Sequence, residues 1–140
     1  MNKTLLFNRP KYKALRGKPE LLRIILNDKF TRIDFGYQTD PKYIRGGWVT
    51  INPETFIRIH NQNENLVLTK VEDIPLEPVK HNFQSTVDRL YFKLYFPPLP
   101  KASITFDIIE KEPDSPTYFN YFDVKVKIEN GIIVLDKTIS

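Results

Sequence analysis

The sequence predicts an all-β chain of about eight or nine strands, stacked as two antiparallel sheets around one apolar layer. Three observations carry this. Apolar residues recur at every second position in successive runs, as in LYFKLYF and ITFDIIE, the period of a strand buried on one face. Prolines are frequent, eleven in 140 residues, and cluster between those runs, where they end strands. No stretch of about 10–12 residues keeps a helical period with caps.

The elements follow in order. Residues 1–19 read as a basic arm and residues 20–140 as the sandwich domain. Lys3, Arg9, Lys11, Lys13, Arg16 and Lys18 all precede the first acid, Glu20, so the excess behind the net charge of +4 lies there. Such an arm suits phosphates, acidic lipid or an acidic partner, and a loose terminus is the plainer reading. Pro10–Leu15 is the best short helical candidate. Leu21–Asn27 reads as the first strand, with a turn at Asn27-Asp28. In the next strand, Lys29–Tyr37, Ile33, Phe35 and Tyr37 share one face. Residues 38–46 are a loop, and Trp48–Ile51 is a short strand stopped by Asn52-Pro53.

Glu54–His60 and Leu66–Val71 pair as a hairpin across the polar residues 61–65. Ile74–Pro78 is extended and proline-limited, and one helical turn fits around Phe83–Val87. Leu90–Phe96 and Ser103–Glu110 alternate cleanly, separated by a proline knot, and residues 111–116 form a loop. Tyr118–Ile128 is the longest alternating run, with Phe122, Val124, Val126 and Ile128 aligned. Asn130-Gly131 then predicts a type I′ hairpin turn into a last strand, Ile132–Thr138. The expected core is Ile25, Ile33, Phe35, Trp48, Ile57, Leu68, Leu90, Phe92, Leu94, Phe106, Ile108, Phe122, Val124 and Val126.

The proline knot, Phe96-Pro97-Pro98-Leu99-Pro100-Lys101, admits two readings. PPLP resembles one class of ligand for WW domains. Such ligands sit in free, disordered segments, whereas this one is pinned between two strong strands. The corner reading is therefore preferred: fixed φ and missing N–H groups suit a chain crossing from one sheet to the other, with Leu99 tucked into the core.

Chemistry is sparse. The absence of cysteine excludes thiol nucleophiles, disulfides and Cys-containing zinc sites. His60 and His81 are the only imidazoles. Neither has a metal-ligand spacing, and surface histidine is the default for both. There is no nucleophile elbow and no glycine-rich phosphate loop. The acidic loop around Glu112 and Asp114 lacks a calcium-loop spacing. No catalytic, cofactor-binding or metal-binding residue is assigned, no cofactor is expected, and no small-molecule substrate is identified. No signal peptide or membrane span is recognisable, so the chain is expected to be soluble and cytoplasmic.

The sharpest positive feature is an aromatic and basic set on alternate positions. Tyr91, Lys93 and Tyr95 oppose Leu90, Phe92 and Leu94. Phe119, Tyr121, Lys125 and Lys127 oppose Phe122 and Val124. Were both strands in one sheet, rings and lysines would form an outer patch of the kind on which single-stranded nucleic acid stacks. Tyrosine is also common on exposed strands and at protein interfaces.

The order FTRIDFGY, GGWVTINPETFIR, LTKVEDIPLEP, LYFKLYFPPLPK, ITFDIIEKE and YFNYFDVKV resembles small immunoglobulin-like β-sandwich domains of uncharacterised bacterial proteins, over residues 20–128. The resemblance implies an accessory or stand-alone module and carries over no catalytic residue. A small barrel of the OB type is the alternative fold. The expected function is non-catalytic, binding a partner protein or a second copy through a strand edge or the tyrosine-rich face. The residues expected to take part are Tyr91, Lys93, Tyr95, Phe119 and Tyr121, with Lys11, Lys13 and Arg16 of the arm. Single-stranded nucleic-acid binding through the same face and arm is the alternative.

Overall fold

The computed structural model describes residues 4–15, 17–38, 48–82, 89–115 and 117–134. Among these lie β1 (Thr4–Asn8), β2 (Lys11–Lys13), β3 (Glu20–Leu26), β4 (Thr31–Gln38), β5 (Trp48–Val49), β6 (Phe56–Ile59) and β7 (Asn65–Val67). They are followed by β8 (Lys70–Glu72), β9 (His81–Asn82), β10 (Arg89–Phe96), β11 (Ile104–Ile109), β12 (Tyr121–Val126), a 3-10 turn (Ile128–Asn130) and β13 (Ile132–Val134). A six-stranded sheet has the order β13-β1-β3-β4-β10-β8, a five-stranded sheet the order β2-β12-β11-β6-β7, and β5 pairs with β9. Both large sheets are antiparallel throughout. No helix among the described residues is long and apolar enough to cross a membrane.

Alternation decides which side chains meet. Ile33 and Phe35 of β4 and Phe92, Leu94 and Phe96 of β10 join Ile57 and Ile59 of β6, Phe106 and Ile108 of β11, and Val124 and Val126 of β12 in one buried cluster. Phe35 ties the two sheets together. Its ring stacks on Phe92, centroids 5.3 Å apart, and meets Phe119 edge-on at 4.8 Å and Tyr121 at 5.4 Å. Such arrangements suit the ring quadrupole as well as burying area. The Tyr121 hydroxyl, deep inside, donates to the Pro19 carbonyl at 2.5 Å.

More strands occur than expected because the chain changes sheets where the sequence reads as continuous. The Leu66–Val71 run divides into β7 in one sheet and β8 in the other. Leu68 N–H donates to Thr55 O and Thr69 N–H to Tyr95 O, each at 2.8 Å, so two consecutive amides serve different sheets. The proline knot is a corner, as expected: β10 ends in the six-stranded sheet and β11 begins in the other. Leu99 is buried there, and its N–H donates to Thr31 Oγ1 at 2.8 Å.

Four expectations are corrected. The basic arm is not free of the domain among its described residues. β1 lies between β13 and β3 with Leu5 and Phe7 in the core, and β2 flanks β12. The short run Leu5-Leu6-Phe7 suffices because paired strands cover β1 on both sides. Second, the helical candidate Pro10–Leu15 contains β2 instead, because Arg9 in the left-handed region (φ 47°) and Pro10 turn the chain onto the other sheet. Third, a bulge in β12, with Asp123 at φ 53°, resets the alternation. Tyr121 and Val124 both point inward, and Phe122, expected in the core, is half-buried. Fourth, Asn130-Gly131 is no type I′ hairpin. Gly131 has φ −81°, and β13 pairs with β1, because β2 and β11 already occupy both edges of β12.

Of the remaining expected core, Ile25 is buried outside the central cluster, and Leu68 and Leu90 are partly buried against it. The side chain of Trp48, the loop at residues 39–46 and the helical turn around Phe83–Val87 lie outside the described residues, as does the stretch of the expected last strand beyond Val134.

Phe35→Ala is expected to lower stability by about 3–5 kcal/mol, the usual range for a phenylalanine cavity. Phe122→Ala should lose only about 1 kcal/mol. Urea unfolding of the two variants measures both, and the reverse order would overturn the bulged register.

Candidate functional site

The expected aromatic patch is not assembled. On β10, Tyr91 is 60% exposed and Tyr95 only 8%. Tyr91 sits opposite Gly36 on β4, and its ring lies over it: a Cβ at Gly36 would come within 3.0 Å of Tyr91 Cε1. The glycine thus makes room for the ring, and the ring covers the glycine's bare backbone. Tyr95 meets Phe30 edge-on at 5.2 Å, lies 4.9 Å beneath the Lys70 ammonium, and donates its hydroxyl to Glu72. Lys93 is half-buried, 3.9 Å from Glu72. Phe119 and Tyr121, expected outside, are core residues because the bulge turned that register inward. Lys11 and Lys13 are exposed on edge strand β2, and Arg16 lies outside the described residues.

What covers the outer face of the six-stranded sheet is a ladder of opposite charges. Asp34 accepts from Arg32 Nε at 2.8 Å and from Arg23 Nε at 2.9 Å. Burial, reinforced by the bond to Glu72, pushes the Tyr95 phenol up to about 12. That same bond, with Lys70 and Lys93 nearby, holds Glu72 below its ordinary value against a smaller opposing effect of desolvation.

A second cluster stands on the outer face of the five-stranded sheet. His60 directly follows β6, and its N–H donates to Thr105 O at 3.0 Å, which fixes it beside β11. Asp107 projects outward between inward-facing Phe106 and Ile108, yet its neighbours bury it. The bulge swings Asp123 toward both. His60 Nε2 lies 2.8 Å from Asp107 Oδ1 and 3.6 Å from Asp123 Oδ1. Asp123 N–H donates to Asp107 Oδ1 at 3.0 Å. Each carboxylate gives its other oxygen to a base: Asp107 Oδ2 to Arg58 and Asp123 Oδ2 to Lys13, both at 3.3 Å. Burial opposes charge on Asp107, but the bonds from Asp123, His60 and Arg58 together hold its carboxyl below the usual value.

A third cluster gathers around the loop after β11. Lys18, buried, donates to the carbonyls of Ser115, at 3.0 Å, and of Tyr118, with Asp114 3.6 Å away. Burial pushes its ammonium down, against the pull of Asp114 and Glu110. Glu110 accepts from the amides of Asn52 and Phe119, at 3.0 and 2.9 Å, while burial pushes its carboxyl up. Buried Asn120 bonds Glu110, Lys111 and Asp114. Every polar group of this set is engaged in holding the loop after β11, which makes it a clamp.

The sheet edges differ in kind. β2 (KYK) and β8 (KVE) carry charges, the usual protection of an edge against a further strand, while the edge strand β7 (NLV) is uncharged with one exposed apolar side chain, Val67. β13 reads Ile-Ile-Val, with Ile132 and Ile133 54% and 62% exposed. It bears no charge, proline or glycine.

No protein-family model matches the chain, and neither a curated protein nor a solved structure matches it.

Sequence reading missed the His60–Asp107–Asp123 cluster, whose members are far apart in the chain and meet only through the β6–β11–β12 pairing. The sole local signal is Asp123, since aspartate tolerates the left-handed backbone of a bulge better than most residues.

Because the Tyr95 phenol ionises later in the folded state, its contribution to stability is present below the ordinary value of 10.0 and is lost as pH rises through about 12. Urea midpoints measured across that alkaline range should therefore fall, and Tyr95→Phe should make the fall shallower.

Proposed function

We propose that the protein is a non-catalytic interaction module that accepts an extended strand of a partner protein on the β13 edge of its six-stranded sheet. The observation that carries this is the apolar edge: among the described residues β13 has no strand beyond it, exposes Ile132 and Ile133 side by side in sequence and carries no charge, whereas β2 and β8 are charged and β7 exposes a single large apolar side chain, Val67. An added strand gains a ladder of main-chain hydrogen bonds, and side-chain pockets supply selectivity. The burial of Tyr95, Phe119 and Tyr121 favours the edge over the tyrosine face as the docking surface, and leaves Tyr91, among the expected and described aromatic residues, as the exposed ring on which a base could stack.

The immunoglobulin-like reading is part of this proposal. Two facing antiparallel sheets and the proline corner support it at the level of architecture. The strand order is the molecule's own: β3 and β4 pair in one sheet, where strands B and C of an immunoglobulin domain lie in opposite ones. Origin in a bacterial accessory protein is proposed on the sequence resemblance alone.

Ile133→Lys places a charge on the edge without touching the central cluster. A nuclease-treated lysate passed over immobilised wild type should yield a bound protein that the Ile133→Lys bait, still folded by circular dichroism, loses by about tenfold, since charges on an edge block strand addition. Retention by the variant, or loss of the partner on nuclease treatment, would overturn the proposal.

A further inference from the structure

We propose that His60, Asp107 and Asp123 form a binding site for a divalent transition cation of the zinc class, on the five-stranded sheet, whereas the β13 edge belongs to the six-stranded one. One ligand atom from each residue lies within 4.8 Å of the other two. Two separations, 2.8 Å from His60 Nε2 to Asp107 Oδ1 and 3.6 Å to Asp123 Oδ1, bracket the edges of a coordination polyhedron. Zinc bonds to nitrogen and oxygen are about 2.0–2.2 Å long, which sets donor atoms roughly 3–3.5 Å apart.

The two oxygens of each carboxylate are divided between an outer base and the imidazole. Arg58 holds Asp107 Oδ2 and Lys13 holds Asp123 Oδ2, both at 3.3 Å, and both Oδ1 atoms turn toward the imidazole, that of Asp107 also accepting the Asp123 N–H at 3.0 Å. Outer partners of this kind fix the orientation of ligands before a metal arrives. Arg58 also contacts Glu112 at 3.2 Å, so part of its charge is already balanced away from the site. His60 and Asp123 are partly exposed, at 37% and 35% of their side-chain surface, which leaves a path for entry and room for water to complete the shell.

The imidazole decides the class of ion. Calcium and magnesium take oxygen donors, while one imidazole with two carboxylates suits zinc and its neighbours. On binding, the cation takes the position now bridged by the short His60–Asp107 contact, and Asp123 closes onto it by torsion of its carboxylate. The charges of Arg58 and Lys13 oppose a cation, so the site is weaker than a structural zinc site with thiolate ligands.

The test is calorimetric titration of the chelator-treated chain with zinc chloride, in parallel with nitrogen-15 NMR of the two histidines. One zinc per chain is expected, with the His60 ring resonances shifting and those of His81 unmoved. His60→Gln and Asp123→Asn should each weaken binding by about a hundredfold, and excess calcium or magnesium should not compete. Absence of saturable zinc binding would overturn the proposal. So would binding that leaves the His60 resonances unmoved, that survives both substitutions, or that calcium displaces. The NMR arm reads the wild-type protein, so the proposal stays falsifiable even if a variant fails to fold.

Discussion

Leu68 and Thr69 are neighbours in the chain, yet their amides donate into different sheets, to Thr55 and to Tyr95. That requirement, a hydrogen-bond partner for each backbone group at the moment the chain leaves one sheet for the other, shapes the rest of the molecule. An unpaired buried amide loses about 1–3 kcal/mol, as much as a well-packed methyl or two provides. The chain meets the requirement differently at each crossing. Prolines remove donors between β10 and β11, and Thr31 supplies an acceptor for Leu99. At Arg9 the left-handed backbone aims an amide at Leu22 O. Between β12 and β13, Ser103 Oγ takes the Ile128 N–H, and a single 3-10 turn absorbs the amides of Asn130 and Gly131. With the crossings satisfied, alternation, reset once by the bulge in β12, assembles the aromatic layer around Phe35.

The bulge in β12 couples that layer to the surface. A left-handed residue at Asp123 carries Tyr121 inward, where its ring meets Phe35 and Phe119 and its hydroxyl finds Pro19. The same local twist turns the Asp123 carboxylate toward His60 and its amide toward Asp107. Core packing and the outer cluster are two faces of one backbone irregularity, and neither survives a regular strand at this place.

This explains what the sequence disclosed and what it withheld. β4, β10 and β11 were legible because Ile33-x-Phe35, Phe92-x-Leu94-x-Phe96 and Phe106-x-Ile108 repeat with period two and no interruption, and the prolines between them signal a corner. β1 was not, since three apolar residues beside Arg9 and Pro10 look like a loose terminus until β3 and β13 flank them. The bulge was invisible because Tyr121 and Phe122 are both aromatic, and either satisfies a period-two reading. The Asn130-Gly131 pair misled because turn chemistry is local, whereas occupancy of both β12 edges is a property of the assembled sheet. For the same reason no spacing in the chain announces His60, Asp107 and Asp123 together. Their proximity is written in strand register, which forms only with the sheet.

One feature of the topology reaches beyond the folded state. β1 is enclosed by β13, with Thr4 opposite Val134, so the earliest described strand is completed by the latest. On the ribosome, one side of β1 stays open throughout elongation, and the sheet cannot close until residue 134 has left the exit tunnel. Pairing across such a span makes folding slow relative to local hairpins and leaves Leu5 and Phe7 accessible to chaperones in the nascent chain. Completion of the six-stranded sheet thus comes late in biogenesis: a chain that lacks β13 leaves the outer edge of β1 without that partner strand.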